Sequence, residues 1–171
     1  VRVGDGFNPK TQLGPVQNKA QFEIVKGVLQ DTQATPAVRI LTGGRPIEGP
    51  GYFVPPTLVA DIAEGTRLVD EEPFGPVLPI IRYKEVADAV QRANRTSYGL
   101  GASVWGRNTR RATEVAGQLE AGMVWVNRHV GAEPTVPFGG AKQSGIGREY
   151  GIHGLRAYME AMSLFMPPSV R

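Results

Sequence analysis

The alternation of strand-like and helical patterns over residues 77–127 restricts this chain to an α/β fold more strongly than any other feature. Apolar runs at residues 77–83, 100–105 and 123–127 have the length and composition of buried strands, and helical spacing separates them. Short links between such elements favour right-handed crossovers, which place successive strands side by side and parallel. The sequence therefore predicts a mainly parallel sheet with βαβ crossovers.

The two helices of this region have predictable ends. The first covers residues 86–94, where apolar residues recur every three or four positions. The second is capped by Asn108 or Thr109, because a side-chain oxygen there can accept from the first free N–H groups, and it is stopped by Gly122. A further short helix is expected over residues 149–161.

The first third of the chain is predicted to add one helix and two extended segments. Residues 22–29 place apolar side chains on one helical face, and residues 38–42 have the composition of a strand. Residues 52–59 are expected to be extended. Pro55 and Pro56 exclude a helix there and favour a position at a sheet edge, because proline cannot donate to a strand ladder.

Composition excludes several kinds of site. The 171 residues include no cysteine, so disulfides, thiolate metal sites and a cysteine nucleophile are excluded within them. The two histidines, His129 and His153, lack the spacing of metal ligands, and no metal site is expected. A net charge of +3 is too small to indicate a nucleic-acid partner. The sequence contains no apolar run long enough to indicate a membrane-spanning segment. A soluble, cytoplasmic protein is the expectation.

Residues 70–77 place two carboxylates and an aromatic ring on a stiff turn, DEEPFGPV. Neighbouring side chains of an extended segment point to opposite sides, so Glu71 and Glu72 should not share a pocket, and a paired-carboxylate mechanism is disfavoured. Glu72 and Phe74 should lie on the same side. A carboxylate beside an aromatic face suits a ribosyl-nicotinamide, whereas the alternative is an ordinary solvated turn.

Residues 137–149, PFGGAKQSGIGRE, hold a second aromatic side chain in a constrained, glycine-rich loop. Phe138 either anchors this loop to the core or faces a ligand. The glycines at the end of the segment lack the third glycine and the preceding strand of a dinucleotide-binding fingerprint. No phosphate site is therefore expected there.

The two segments together resemble the C-terminal signatures of the NAD(P)-dependent aldehyde dehydrogenases, and the resemblance extends over nearly the whole chain. It implies that Glu72 binds the nicotinamide ribose of NAD or NADP and that Phe74 lies beside the nicotinamide. It also implies that Phe138 lines the tunnel for a small aldehyde substrate. The loop of residues 128–136 is where similar enzymes vary their substrate choice. Glu133 in this loop either attracts a cationic aldehyde or is simply solvated.

The resemblance also implies that the chain is part of a larger enzyme. Residues 1–157 would form the C-terminal portion of the catalytic domain, and residues 158–171 a tail whose apolar segment, 162–166, is an oligomerisation strand. Similar enzymes oxidise the aldehyde to a carboxylic acid through a cysteine thioester. Since no cysteine is present, no catalytic residue is assigned, and the segment is expected to be inactive without the N-terminal part of its own chain. A homo-oligomer is expected.

Two other interpretations stay open at this stage. One is a non-catalytic structural or assembly protein with the same fold, and the other is a different nucleotide-binding α/β domain whose motifs match by coincidence. A cysteine within a few dozen residues before Val1 in a longer coding sequence would support the enzyme.

Overall fold

The computed structural model describes residues 1–129 and 131–168, and the chain forms two compact units, Val1–Tyr83 and Lys84–Arg171. The first unit holds a three-stranded sheet in the order β1-β2-β3, with β1 antiparallel to β2 and β2 parallel to β3. Its elements are α1 (Lys19–Ala34), β1 (Arg39–Thr42), β2 (Thr57–Ala60), α2 (Arg67–Asp70) and β3 (Val77–Ile80).

Helix α1 provides most of the core of the first unit. Asn18 caps it, since the Asn18 side-chain oxygen accepts from the backbone N–H of Gln21 at 2.9 Å. The predicted apolar face is buried at Val25, Val28 and Leu29, as the helical spacing requires. These side chains pack with a cluster from the strands and loops of the same unit: Val54, Val59, Ile62, Leu68 and Val77.

Two features of the first unit differ from the sequence-based expectation. The segment with Pro55 and Pro56 was expected at a sheet edge, but β2 is the central strand. Both prolines precede Thr57, where β2 begins, so no ladder hydrogen bond is lost to them. The short helix α2 was not predicted, because four residues are too few to show helical periodicity.

The second unit holds a parallel pair of strands joined by a helical crossover. Strand β4 pairs with β5 from Gly101 opposite Met123 to Val104 opposite Val126, and α4 connects them. The described elements are α3 (Val86–Arg95), β4 (Gly101–Val104), α4 (Thr109–Ala116), β5 (Met123–Val126), a 3₁₀-helix (Lys142–Ser144) and α5 (Gly151–Arg156).

The predicted α/β class with mainly parallel pairing is confirmed, and the helix ends are corrected in detail. Asn108 is the N-cap of α4, accepting from the Arg111 N–H at 3.0 Å, but the helix ends at Ala116 and not at Gly122. The Gly117 N–H donates to the Thr113 carbonyl at 3.0 Å and closes the last turn. Helix α5 is likewise shorter than the predicted 149–161.

The expected apolar strand over residues 162–166 pairs with no other strand within the described part of this single chain. Its large apolar side chains are exposed, and Phe165 is 93% exposed. The structure assigns no regular secondary structure to these residues, and the oligomerisation strand stays a prediction. Residues 169–171 of the predicted tail lie outside the described residues.

Close backbone packing holds the glycine-rich loop of the second unit in place. A Cβ built on Gly122 would lie 1.7 Å from the carbonyl oxygen of Gly139, so the two backbones are in direct contact. The Lys142 ammonium donates to the carbonyls of Asn94 and Thr96 and lies 3.0 Å from Glu120 Oε2. The cation thus satisfies carbonyls at the C-terminal end of α3, where positive charge is favoured.

Substitution of Gly122 tests this backbone contact. We expect Gly122→Ala to lower the free energy of unfolding by about 3 kcal/mol, because the new methyl group overlaps a carbonyl that cannot move independently. Gly117→Ala is the matched control, since Gly117 has φ −65 and its Cβ would meet only ordinary contacts. It should stay within about 1 kcal/mol of the parent chain in urea unfolding. Equal effects of the two substitutions would contradict the packing argument.

Candidate functional site

The turn between α2 and β3 is attached to the body of the first unit at alternate residues. Arg67 Nε donates to Glu71 Oε2 at 2.9 Å, and the Gln21 side-chain amide donates to the Pro73 carbonyl. At Gly75 the backbone lies directly against α1, so that a Cβ there would be 2.5 Å from a methyl group of Val25. The turn is therefore attached to the body of the unit at residues 73 and 75, and the Glu71 side chain, which is 61% exposed, pairs with Arg67.

Glu72 and Phe74, the residues between these attachments, are both exposed. Both side chains are therefore accessible at this turn. That they point to the same side stays a prediction, since Phe74 itself departs from the extended conformation in which side chains alternate. The Phe74 ring is 74% exposed, and its backbone has φ +43, in the left-handed region. That conformation is unfavourable by roughly 1–2 kcal/mol for a residue with a Cβ. An exposed apolar ring held in a strained conformation is a recurring property of ligand contacts.

Charge fixes the base of this turn. Besides Glu71, Arg67 contacts Asp31 of α1, with Nη1 3.0 Å from Asp31 Oδ2. The hydrogen bond to Glu71, followed by that to Asp31, raises the pKa of Arg67 above its ordinary value. The guanidinium therefore stays charged and connects α1 to the C-terminal end of α2. Glu71 is thus solvent-exposed, with 61% of its side chain accessible, and is also half of an ion pair.

In the second unit, Phe138 is held in a short antiparallel bridge. Its N–H donates to the Glu149 carbonyl at 2.8 Å, and the Glu149 N–H donates back at 2.7 Å. The half-buried Phe138 ring makes an edge contact with Tyr150, with 6.2 Å between ring centroids. The ring thus helps to anchor the loop and stays partly accessible at the surface, while its contact with a ligand stays a prediction.

A cavity of about 350 Å³ lies beside Phe138, within the volume range of roughly 300–1,000 Å³ that is typical of small-molecule sites. Strand β5 and the loop after it form its walls. Apart from one ion pair, the described lining is apolar or glycine. These residues are Gly122, Met123, Val124, Trp125, Gly131, Ala132, Val136, Pro137 and Phe138.

Arg128 and Glu133 are the charged residues of this described lining, and they pair with each other. The distance from Arg128 Nη2 to Glu133 Oε1 is 2.6 Å, and both side chains are 54% exposed. Glu133 therefore has an internal counter-ion, which the sequence alone did not reveal. Val130, also in the predicted specificity loop of residues 128–136, lies outside the described residues.

Sequence reasoning missed three residues that shape these sites: Arg67, Gln21 and Arg128. The spacing of Arg67 and Glu71, four positions apart, was a usable signal for an ion pair on a helix. The contact of Gln21 with Pro73 joins residues 52 positions apart, so no local pattern could have indicated it. Among the described residues there is no cluster that could hold a metal ion, and no helix is long and apolar enough to cross a membrane.

Phe74 allows a direct test of the strained turn. Phe74→Gly should raise the free energy of unfolding by about 1 kcal/mol, because glycine adopts the left-handed conformation without the Cβ penalty. Phe74→Ala removes the same exposed ring but keeps the penalty, so its stability should stay near that of the unmodified chain. Thermal or urea unfolding compares the two. If alanine stabilises as much as glycine, the backbone strain is not the reason.

Comparison with known proteins agrees with this geometry. The sequence model of the aldehyde dehydrogenase family matches residues 1–164. An aldehyde dehydrogenase of Enchytraeus buchholzi is 40% identical over 164 residues, which cover 96% of this chain and 33% of that protein. The succinate-semialdehyde dehydrogenase [NADP(+)] 1 of Mycobacterium ulcerans is 36% identical over 97% of this chain and 36% of its own length.

Among solved structures, betaine aldehyde dehydrogenase from Staphylococcus aureus in complex with NAD+ has a TM-score of 0.85 and 34% identity, covering 92% of this chain and 32% of its own. The chain thus spans about a third of the length of the relatives it matches. The matches do not confirm the predicted position of this third, in the C-terminal part of the catalytic domain. They do confirm the predicted family: this chain belongs to the aldehyde dehydrogenases.

Proposed function

We propose that this chain is part of a longer NAD(P)-dependent aldehyde dehydrogenase, the parent enzyme, which oxidises an aldehyde to a carboxylic acid. The family match supports the activity, and the shared length of about one third supports a longer parent. The observation that carries the proposal within the chain is the turn of residues 71–75, which is attached at alternate positions and presents Glu72 and Phe74 outward together.

In this proposal Glu72 holds the nicotinamide ribose. A carboxylate has enough acceptor positions for two sugar hydroxyls, and hydrogen bonds to a charged group contribute about 1.5–3 kcal/mol each. The exposed face of Phe74 covers the flat nicotinamide beside it. The bound cofactor supplies the acceptor for the hydride, and the rigid turn supplies its orientation, since a preformed turn loses little conformational freedom on binding.

Both NAD and NADP are compatible with this arrangement. The Staphylococcus aureus relative is described with NAD+, and the Mycobacterium ulcerans relative is named for NADP(+). The two cofactors differ at the adenine ribose, whereas Glu72 would meet the ribose at the nicotinamide end. The cofactor contacts that we assign to this turn are therefore the same for NAD and for NADP.

Phe138 and the cavity beside it are the proposed contact surface for the aldehyde. The antiparallel bridge with Glu149 fixes the backbone of Phe138, and the edge contact with Tyr150 limits rotation of its ring. A fixed aromatic wall excludes water and orients an apolar substrate without needing a polar contact. The described residues that line this cavity all belong to the second unit.

The covalent chemistry is assigned to residues outside this chain. In the proposed reaction a thiolate attacks the aldehyde, the adduct loses hydride, and water cleaves the resulting thioester to release the acid. The chain has no cysteine, whereas a structure of the related betaine aldehyde dehydrogenase from Staphylococcus aureus contains a BME-modified cysteine. The isolated segment should therefore be inactive. A parent sequence without a suitable cysteine would contradict the assignment and favour a non-catalytic protein of the same fold.

Replacement of Glu72 tests the cofactor grip in the parent enzyme. Glu72→Gln keeps the size of the side chain but weakens its hydrogen bonds to ribose hydroxyls, so hydride transfer should slow by about tenfold or more. Binding that depends on the adenine end should be spared. Single-turnover formation of reduced cofactor measures the first effect, and titration with an adenine nucleotide measures the second.

Glu71→Gln is the matched control for this experiment. Glu71 faces Arg67 and not the outer side of the turn, and glutamine still offers that guanidinium an acceptor. Its hydride-transfer rate should stay within about twofold of the wild-type rate. Unchanged steady-state and single-turnover rates in Glu72→Gln would show that its carboxylate is only part of the surface.

The exposed tail is the proposed oligomerisation element of a cytoplasmic homo-oligomer. Its apolar side chains include Met162, Leu164 and Phe165, all exposed in the single chain. An unpaired, apolar, β-capable segment gains both hydrogen bonds and burial by joining a neighbouring sheet edge.

Truncation of the parent enzyme after Ala161 tests the tail. We expect the truncated enzyme to sediment as a smaller species than the full-length enzyme, because the intersubunit strand pairing is lost. Replacing Leu164 and Phe165 together by serine is a milder variant that keeps the chain length and should act in the same direction. An unchanged sedimentation coefficient in both variants would contradict the assignment.

A further inference from the structure

The relatives named above carry aldehydes of opposite charge in their names: betaine aldehyde is a cation and succinate semialdehyde is an anion. The family assignment therefore leaves the charge of the substrate undetermined. The charged residues that line the cavity beside Phe138 can determine which substrate charge is preferred. A binding site discriminates between charged substrates through the unpaired charges on its walls.

The described walls of this cavity offer an apolar surface without a net charge. Met123, Trp125, Val136 and Phe138 contribute aliphatic and aromatic area, and Trp125 is further fixed by a tilted ring contact with His129 at 4.7 Å. Contact between such a surface and an apolar substrate is favourable, because it removes apolar area from water. An ionic group would lose its hydration there without finding a polar partner, which is unfavourable.

The Arg128–Glu133 pair removes the charge selectivity that either residue alone would give. With 2.6 Å between Nη2 and Oε1, the two charges largely cancel beyond their own contact distance. A cationic substrate approaching Glu133 meets the guanidinium as well, and an anionic substrate approaching Arg128 meets the carboxylate. The ion pair joins residue 128, at the start of the loop, to residue 133 within it.

We propose that the parent enzyme prefers uncharged aldehydes with an apolar chain or ring, because the Arg128–Glu133 pair leaves no net charge on the described walls of the cavity to bind a cationic or an anionic aldehyde. The proposal rests on the proposed function, since it takes the cavity beside Phe138 as the aldehyde site. Arg128 and Glu133 are thus specificity-determining residues of opposite sign, whose effects cancel as long as both are present.

The test compares kcat/KM of the full-length enzyme for hexanal, benzaldehyde, betaine aldehyde and succinate semialdehyde. Hexanal and benzaldehyde should exceed both charged aldehydes by about tenfold or more, because a charged group loses hydration in an apolar cavity without gaining a partner. A wild-type preference for either charged aldehyde overturns the inference. Absence of cofactor reduction with all four aldehydes overturns instead the proposed function on which it rests.

Two single substitutions give the sharper result. Arg128→Gln leaves Glu133 unpaired, so the ratio of kcat/KM for betaine aldehyde to that for hexanal should rise by about fivefold. Glu133→Gln leaves Arg128 unpaired and should raise the corresponding ratio for succinate semialdehyde by a similar factor. The inference is overturned if both variants raise the relative kcat/KM for the same charged aldehyde, or if neither variant changes it.

The double variant Arg128→Gln, Glu133→Gln is the matched control. It removes both charges and keeps two side chains of similar size, so the preference for uncharged aldehydes should persist. Since both positions are half-exposed, none of these variants removes buried packing. If the double variant accepts a charged aldehyde as well as hexanal, the apolar walls by themselves do not exclude ions, and the inference fails.

Discussion

The contact between α1 and the turn after α2 is the constraint on which the first unit depends. Val25 is completely buried, and the backbone of Gly75 lies so close to it that no side chain fits at that position. Gln21, one helical turn earlier, reaches the same turn through the Pro73 carbonyl. One face of one helix therefore builds the core and also fixes the backbone that presents Glu72 and Phe74. Because close-packed interiors resist displacement, this arrangement fixes the backbone of the turn that we propose for cofactor binding.

In the second unit, backbone contacts and not buried side chains hold the glycine-rich loop in place. Its glycine-rich loop has few apolar side chains to bury, and backbone-to-backbone contacts take their place, with Gly122 against Gly139 as the closest. Lys142 adds charge-assisted hydrogen bonds to the end of α3, and Arg148 donates to the Gly140 carbonyl at 2.7 Å. Such contacts hold Phe138 at the wall of an apolar cavity, while the described residues of the loop 128–136 are mostly exposed. Exposed loops on a rigid scaffold tolerate sequence variation without disturbing the sheet beneath them.

Local patterns were sufficient for most of the secondary structure. The helical spacing placed α1, α3 and α4, and the cap of α4 at Asn108 followed from residue type. The errors arose where more than one structure was compatible with the same local pattern. Helix α4 ends at Ala116, where the Gly117 N–H closes the last turn, and β2 can take the central position because its prolines lie just before the ladder begins. Sequence spacing could not show which of two neighbouring glycines ends a helix, or which strand would lie in the middle of a sheet.

For the site, the sequence by itself determined the chemical groups and their order: a carboxylate and a ring two residues apart on a stiff segment, a second ring in a glycine-rich loop, and no thiol. Alternation along an extended chain predicts that Glu72 and Phe74 lie on one side. Only the tertiary structure decided how those groups are held and what surrounds them. Gln21 meets Pro73 across 52 residues, Arg67 joins α1 to α2, and Arg128 neutralises Glu133. Each of these depends on where the folded backbone brings distant or looped segments together, and a linear sequence pattern carries no measure of that distance.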